Sequence, residues 1–509
     1  MAAPETVPGA DPVQPGSRAL PGWVAAVVTF LSSGAVLVLE IAGLRLIAPY
    51  VGITLQTNTA VIGFALAAIA IGAWAGGAVA DRRDPRGLLA PLLVGGGALL
   101  VAVVPVVRFA GAALTGADAG SVLLLAAVAV VVPAALLSAV PPMVVALQLG
   151  SLRETGSVVG KLSGIGTLGG IAATFGTGFV LVALLPTSTI LVGTGLVVVA
   201  CGVGLWLLLR RTVGARLPGA LLVAALAGTG LAVVAPDPCE VETTYHCARV
   251  VADPDRPGGR TLVLDTLRHS YVDLDDPTYL EFAYVQAVAS VSDVSAPAGE
   301  PVSALHVGGG GLTVPRYLAA VRPGSTSRVL EVDAGVLALD RAELGLRTGP
   351  QLQVDVGDAR TGLAEEPGGT RDLVVGDAFG GLAVPWQLTT TEALGLVDRA
   401  LTDDGVYAVN LIDHGPLSFL RAELATMRAV FPHVALLARA PVVAGEDGGN
   451  VVAVASRRPL DTGALATALA GRGLAWQVVT GDELTAFVGD APVLTDDLAP
   501  VDQLLTPYG

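Results

Sequence analysis

Lysine, cysteine and histidine are scarce in this chain of 509 residues, and each scarcity excludes a class of function. Lys161 is the only lysine, and 44 acidic against 29 basic residues give a formal net charge of −15. A nucleic-acid-binding surface is basic, so we expect no nucleic-acid partner. The three cysteines and five histidines show no metal-ligand spacing, which predicts no structural metal. Cys239 and Cys247 are close enough in sequence to pair.

Long apolar runs are abundant, and they are concentrated before residue 236. A helix that crosses a bilayer needs about 20 mostly apolar residues. Seven such runs predict a seven-helix transmembrane domain over 22–236, preceded by a disordered tail at 1–21, with the lipid bilayer as partner. The runs are 22–48, 59–80, 88–108, 121–149, 162–185, 188–209 and 217–236. Within the first run, Glu40 is either a functional carboxylate or an ion-pair partner of Arg45.

The basic residues of this half lie in three of the loops, which predicts a multi-pass cell-membrane protein with a defined orientation. By the positive-inside rule these loops and the amino terminus face the cytoplasm. Seven crossings then place the carboxyl-terminal half outside the cytoplasm, where a Cys239–Cys247 disulfide is permitted. If the run broken at Pro141-Pro142 crosses twice or re-enters, that half is cytoplasmic instead. The loop residues are Arg82, Arg83, Arg86, Arg153, Lys161, Arg210, Arg211 and Arg216.

From residue 240 onward the pattern becomes that of an α/β protein. The segment 240–300 predicts a small β-rich unit with a helix at about 277–291, and 301–509 predicts a Rossmann-like domain. Alternating strands and helices imply βαβ units and a parallel sheet. Two late strands, at about 434–440 and 450–455, are expected to add an antiparallel edge. The expected parallel strands are 303–307, 328–332, 352–356, 372–376 and 405–411.

Glycines and acids fall where these expected strands end. Gly308, Gly309, Gly310 and Gly311 follow the first strand, and glycine lets the backbone turn tightly and approach a ligand. Glu331 ends the next strand, about 20 residues on, where an acid accepts the hydroxyls of a ribose. Asp358, with the Ala359 backbone, closes the third strand and is placed to read an adenine edge. Asp377 closes the fourth and faces the reacting end of the ligand. Each acid alone could instead cap a helix.

The order of these motifs resembles the spermidine synthase family, whose fold is close to that of AdoMet-dependent methyltransferases. Thr261-Leu-Val-Leu-Asp265, His269 and Tyr279 resemble the family's lead-in segment, and fusion to a multi-helix domain resembles a membrane-fused bacterial branch. The resemblance implies substrate-binding roles for His269 and Tyr279. It also implies self-association, for example as a homodimer.

The resemblance further implies a reaction. The glycine turn and Glu331 would hold decarboxylated AdoMet as co-substrate, without a prosthetic group, and Asp358 would hold its adenine. Asp377 would deprotonate the attacking amine of a diamine such as putrescine. Two acids of the family pattern are replaced here by Gly311, in the turn, and by Gly380, three residues after Asp377.

Three functions therefore stay open at this point. The first is a membrane-anchored aminopropyltransferase. The second is an AdoMet-dependent methyltransferase, favoured by the loss of the acid that grips the donor's amino group. The third is a catalytically degenerate nucleoside-binding scaffold or sensor.

Overall fold

The computed structural model describes residues 20–114, 119–149, 155–213 and 219–506. These residues form two compact units. Of the described residues, the first unit takes those up to Ile47, Thr57–Leu114 and those between Gly120 and Pro236; the second is built mainly from Asp237 onward and includes Ala48–Gln56. Most of the predicted disordered tail (1–19) and two of the loop cations, Arg153 and Arg216, lie outside the described residues.

The first unit is helical throughout its described part, because its runs of Ala, Val, Leu and Gly offer few polar side chains that could compete for backbone hydrogen bonds. A π-helical turn at Thr177–Leu181 interrupts one long helix. In chain order the α-helices are α1 (Gly22–Val51), α2 (Leu55–Ala80), α3 (Arg86–Ala113), α4 (Ala119–Ser138), α5 (Val140–Gln148), α6 (Thr155–Gly176), α7 (Val182–Leu184), α8 (Thr187–Val213) and α9 (Gly219–Val234).

Six stretches within the described residues are long and apolar enough to cross a membrane. The seventh predicted run contains α9, a helix of 16 residues. α9 begins at Gly219, where the described residues resume, so the seventh crossing stays a prediction. The run with Pro141-Pro142 bends between α4 and α5 but counts as one stretch. The six are Gly22–Val51, Leu55–Ala80, Arg86–Ala113, Gly120–Gln148, Thr155–Leu184 and Thr187–Arg210.

The second unit begins with a four-stranded antiparallel sheet in the order β1-β2-β3-β4. Its strands are β1 (Val241–Glu242), β2 (Cys247–Ala252), β3 (Gly259–Leu264) and β4 (Leu267–Asp273). A disulfide joins Cys239 to Cys247 at the start of this sheet, which confirms that the two cysteines can pair. One face of the sheet packs Leu262, Leu264 and Val272 against Leu339 and Leu344.

The larger sheet of this unit has eight strands in the order β12-β10-β11-β9-β8-β5-β6-β7. Strands β9, β8, β5, β6 and β7 are parallel to one another, and β11, β10 and β12 add the expected antiparallel edge. The outermost strand, β12, was not predicted. The strands are β5 (Ser303–Val307), β6 (Thr326–Glu331), β7 (Leu352–Val356), β8 (Arg371–Gly376), β9 (Leu401–Asp413), β10 (His433–Arg439), β11 (Gly449–Ser456) and β12 (Trp476–Val479).

Helices cover both faces of this sheet, as an α/β fold requires for strands that are apolar on both sides. Separate apolar clusters lie on the two faces, one around Phe419 and Leu424 and the other around Val288 and Leu318. The helices are α10 (Ala283–Val294), α11 (Thr313–Val321), α12 (Ala334–Glu343), α13 (Ala359–Glu365), α14 (Thr391–Ala400), α15 (Ser418–Val430), α16 (Ala440–Val443), α17 (Thr462–Gly471), α18 (Gly481–Val488) and α19 (Val501–Leu504).

The strand order places a topological switch point between β5 and β8. From β5 the chain proceeds through β6 and β7 to one side, and it then returns to β8 on the other side. In doubly wound sheets ligands bind outside the carboxyl ends of the strands at such a point. The expected Rossmann-like fold is therefore present, and its switch point selects the site.

Candidate active site at the switch point

The glycine turn leaves β5 at the switch point, and two of its positions need glycine. Gly308 has φ +98°, and a Cβ there would collide with the backbone carbonyl of Asp377, which follows β8. Gly311 has a different reason: its backbone N–H donates to Ser270 Oγ at 2.7 Å, and a Cβ there would also lie 2.7 Å from that oxygen. The turn is thus packed between β8 and β4.

Glu331, the last residue of β6, holds the turn through the backbone. Its Oε2 accepts from the Gly309 N–H at 2.8 Å, and its Oε1 accepts from the Asp333 N–H at 2.8 Å. The side chain is buried. Each carboxylate oxygen keeps a further acceptor site, so both can receive hydroxyl donors from a ligand. Glu331 therefore lies beside Gly309, as the motif spacing indicated.

Asp377 lies directly after β8, across the switch point from the glycine turn. Asn410 Nδ2 donates to its Oδ1 at 2.9 Å, and the Tyr284 hydroxyl donates to its Oδ2 at 3.2 Å. Burial raises the pKa of Asp377 to about 6, against the lowering effect of these two hydrogen bonds. A carboxylate with a pKa near 6 is ionised at pH 7 and is more basic than an exposed aspartate, which suits a general base.

The residues around Asp377 include three that sequence reasoning missed. Asn410 lies on β9, the neighbour of β8, and its Oδ1 accepts from Asn450 Nδ2 on β11 at 3.0 Å. Tyr284 lies in the first turn of α10. All three line a cavity of about 470 Å³ together with Asp377. The sequence signal that could have identified Asn410 was its position late in β9, the strand that follows Asp377 along the chain.

Of the two predicted substrate-binding residues, one lies at this cavity. His269, on β4, lines it, and burial lowers the pKa of its imidazole to about 4, so the ring is neutral at pH 7. Tyr279 does not line it, and its substrate-binding role stays a prediction. The Tyr279 hydroxyl donates to Glu281 at 2.7 Å, and its ring lies under the guanidinium of Arg256. The place beside Asp377 belongs to Tyr284, because α10 begins later than the helix expected from the sequence.

Asp358 follows β7 and acts as the N-cap of α13. Its Oδ1 accepts from the Thr361 N–H at 3.0 Å, and its side chain is exposed. Ala359 is half-buried against the core of the sheet. Asp358 therefore caps a helix, which is the alternative that its sequence position also allowed. Binding of an adenine by Asp358 and the Ala359 backbone stays a prediction.

The two positions that depart from the family pattern differ in the space around them. At Gly311 an aspartate would have to displace Ser270, whose hydroxyl occupies the volume of a Cβ. At Gly380 a Cβ would meet nothing within 4 Å. A side chain at position 311 would therefore require Ser270 to move. A side chain at position 380 would fit without such a movement.

Sequence comparison relates this chain to named enzymes. No family model matches the chain. The polyamine aminopropyltransferase of Vibrio vulnificus is 31% identical over 134 residues, which are 26% of this chain. The matched region spans 44% of the length of that relative.

Solved structures show a similarity of the same kind. A probable spermidine synthase from Corynebacterium glutamicum is 28% identical, with a TM-score of 0.48, and the match covers 51% of this chain and 97% of that one. Human methyltransferase-like protein 13, solved with SAH, is 21% identical with a TM-score of 0.30, covering 42% of this chain and 96% of that one. The sequence match to a named aminopropyltransferase confirms the resemblance of this chain to the spermidine synthase family that its glycine turn and strand-end acids indicated.

Proposed function

We propose that this chain is a membrane-anchored aminopropyltransferase that uses decarboxylated AdoMet and an amine acceptor. The observation that carries the proposal is the placement of Asp377. It is a raised-pKa carboxylate at the switch point, opposite a glycine turn held by Glu331. The resemblance makes a diamine such as putrescine the first acceptor to test.

The proposed step is a displacement at carbon. The acceptor amine loses a proton to Asp377, and its nitrogen lone pair attacks the aminopropyl carbon bonded to the donor's sulfonium. The C–N bond forms, the C–S bond breaks, and the sulfur keeps the electron pair as a neutral thioether. Asp377 then releases the proton to solvent. Tyr284 and Asn410 occupy both oxygens of Asp377 and so orient its carboxylate towards the cavity.

On the donor side we assign the ribose hydroxyls to Glu331. Its two oxygens are already positioned by the N–H groups of Gly309 and Asp333, which leaves acceptor sites for the two hydroxyls. The glycines let the backbone of the turn approach the donor closely. Asp358 would hold the adenine edge if its cap role at α13 leaves one oxygen free.

The six apolar stretches support anchoring in a bilayer. The side on which the second unit lies stays a prediction with two opposed arguments. Six crossings would return the chain to the side of its amino terminus, where the charge rule places the cytoplasm. The Cys239–Cys247 disulfide favours an oxidising compartment outside the cytoplasm. A reporter fused after residue 509 decides between them.

The test of the proposed function is donor selectivity. The full chain, purified in detergent, is titrated by calorimetry with decarboxylated AdoMet and separately with AdoMet. The proposal predicts at least about tenfold tighter binding of the decarboxylated donor, roughly 1.4 kcal/mol, and transfer of the aminopropyl group to an amine. Binding of neither donor by the folded protein would make a nucleoside-fold scaffold or sensor the better interpretation.

A second candidate is an AdoMet-dependent methyltransferase. The packing of Ser270 against Gly311 favours it, because a carboxylate at that point of the turn would require Ser270 to move, and the sequence has glycine there. AdoMet carries its own carboxylate beside that amino group. A preference for AdoMet in the same titration, with methylated product, would select this candidate.

A further inference from the structure

The Cys239–Cys247 disulfide closes a short loop, which we call the disulfide loop, at the edge of the four-stranded sheet. Its two cysteines lie 8 positions apart. The loop contains β1, an edge strand of two residues that pairs with the start of β2. So short a strand is held weakly by its own hydrogen bonds. The disulfide is therefore a major constraint on the conformation of this loop.

Thr243 is the residue of the disulfide loop that contacts the donor side of the candidate site. It is buried, and its hydroxyl donates to Oδ2 of Asp333, which is also buried. Gly335 makes room for this contact, because a Cβ there would lie 2.7 Å from both Cβ and Cγ2 of Thr243. Thr243 Oγ1 also accepts from the His246 N–H at 2.8 Å, so the loop's own turn orients the hydroxyl.

Asp333 connects this hydroxyl to Glu331. The Asp333 backbone N–H donates to Glu331 Oε1 at 2.8 Å, and Asp333 Oδ1 accepts from the Gly335 N–H at 2.9 Å. Asp333 thus uses one carboxylate oxygen to cap α12 and the other to hold the disulfide loop. A displacement of Asp333 would move the N–H group that holds Glu331.

The two ends of the disulfide loop are anchored differently. At the carboxyl-terminal end, the Cys247 N–H donates to Asp265 Oδ1 at 3.0 Å, and His246 Nδ1 lies 2.9 Å from Asp265 Oδ2. These contacts fix that end on the turn between β3 and β4. At the other end, the Glu240 N–H donates to the Ala248 carbonyl at 3.0 Å, and the disulfide supplies the covalent link to the anchored end.

We infer that Thr243 is a positioning residue for donor binding and that the Cys239–Cys247 disulfide keeps it in place. This inference rests on the proposed role of Glu331 towards the ribose hydroxyls of the donor. In the oxidised protein the disulfide loop holds the Thr243 hydroxyl against Asp333, and Asp333 holds Glu331.

Reduction of the disulfide is expected to weaken donor binding. A dithiol reductant supplies two electrons and two protons, the S–S bond becomes two thiols, and the dithiol itself becomes a disulfide. The opened loop has more conformations available. Whenever Thr243 leaves, Asp333 keeps a buried carboxylate oxygen without its donor, which is unfavourable. Part of the free energy of donor binding is then spent on restoring this order, so the affinity falls.

The probe for this test is 5′-methylthioadenosine, which carries the adenosine and the 5′-sulfur shared by both candidate donors. The full chain in detergent is titrated by calorimetry before and after reduction with dithiothreitol. Mass spectrometry checks the redox state, and circular dichroism checks the fold. Reduction is expected to weaken binding at least about tenfold, as for loss of a hydrogen bond to a charged group. The Cys239→Ser/Cys247→Ser variant should bind like the reduced protein and should not respond to dithiothreitol.

The outcomes separate this inference from the proposed function. Equal affinity of the folded protein in both redox states overturns the inference and leaves the proposed donor site standing. Absence of binding to the oxidised protein overturns the proposed donor site, and the inference with it.

A matched pair of variants at Thr243 tests the hydroxyl itself. Thr243→Val keeps the shape of the side chain and removes the hydroxyl, whereas Thr243→Ser keeps the hydroxyl. In the oxidised protein, Thr243→Val should weaken binding of the probe at least about tenfold, and Thr243→Ser should stay within about threefold of wild type. Equal losses in the two variants contradict the inference.

A cycle with Glu331→Gln distinguishes positioning of Glu331 from a general loosening of the domain. If the disulfide acts through Glu331, reduction should weaken binding of the probe much less in Glu331→Gln than in wild type, because the two changes share one interaction. A general loosening would give the same loss on reduction in both proteins. That result would contradict the inference.

Discussion

The proposed donor side of the candidate site is formed by the glycine turn and Glu331, and the proposed acceptor side is the cavity beside Asp377. The two sides differ in how their residues are held. On the proposed donor side, Glu331 accepts from the backbone N–H groups of Gly309 and Asp333, so the carboxylate and the glycine turn are held together. On the acceptor side, the base Asp377 remains, but an acid is replaced by Gly380, and two arginines line the cavity. Under the proposed function, the backbone of the turn therefore contributes more to donor binding, and side chains contribute more to acceptor binding.

The largest expected effect is a loss of turnover when Asp377, which lies between the two sides, is substituted. Asp377→Asn keeps the shape and the contacts with Tyr284 and Asn410 but removes the base. Turnover should fall about 10²- to 10⁴-fold, the usual contribution of a general base. Donor affinity, measured by calorimetry on the same protein, should stay within a few-fold of wild type. Wild-type activity in this variant would remove Asp377 from the mechanism.

A donor-side change should act on binding instead. Glu331→Gln replaces a charged acceptor with a neutral one and loosens the contact with Gly309. A hydrogen bond to a charged group contributes about 1.5–3 kcal/mol, so donor affinity should fall roughly 10- to 100-fold. The acceptor preference of the residual activity should not change. A changed acceptor ratio would show that the two sides are not separable.

The pH dependence offers a finer test of the acceptor side. The pKa of Asp377 is raised to about 6, so the ionised base is present above that value, and kcat/KM should fall as the pH drops through about 6. Asn410→Leu removes a hydrogen bond that lowers this pKa. The acid limb of the profile should therefore move to higher pH in the variant. A limb that stays in place would mean that another group controls it.

The smallest effect is expected for the second partner of the base. Tyr284→Phe removes the hydroxyl that donates to Asp377 at 3.2 Å and leaves the ring in the cavity wall. A typical hydrogen bond contributes about 0.5–1.5 kcal/mol, so kcat should fall by roughly tenfold or less. The acid limb should move in the same direction as for Asn410→Leu. A loss as large as that of Asp377→Asn would give Tyr284 a direct role in proton transfer.

Much of the fold could be predicted because its signals are local. Strands such as Ser303–Val307 are short apolar runs, and the acids and glycines that follow them are visible in the sequence itself. The count of membrane-crossing helices stays a prediction, because the helix of run 217–236 is described only from Gly219 to Val234. The start of α10 was also missed: the helix begins at Ala283 and not at about residue 277, so Tyr284 lies in its first turn.

By itself, the sequence determined the glycine turn, the acids Glu331 and Asp377, and their positions at strand ends, since these depend on residues close together in the chain. Only the tertiary structure decided what surrounds them. Asn410 meets Asp377 because β9 lies beside β8, Ser270 accepts from the Gly311 N–H because β4 packs on the turn, and Arg439 reaches the cavity from β10. These contacts join residues 33 to more than 60 positions apart. They follow from strand order and from packing between two sheets, which no local spacing of residues encodes.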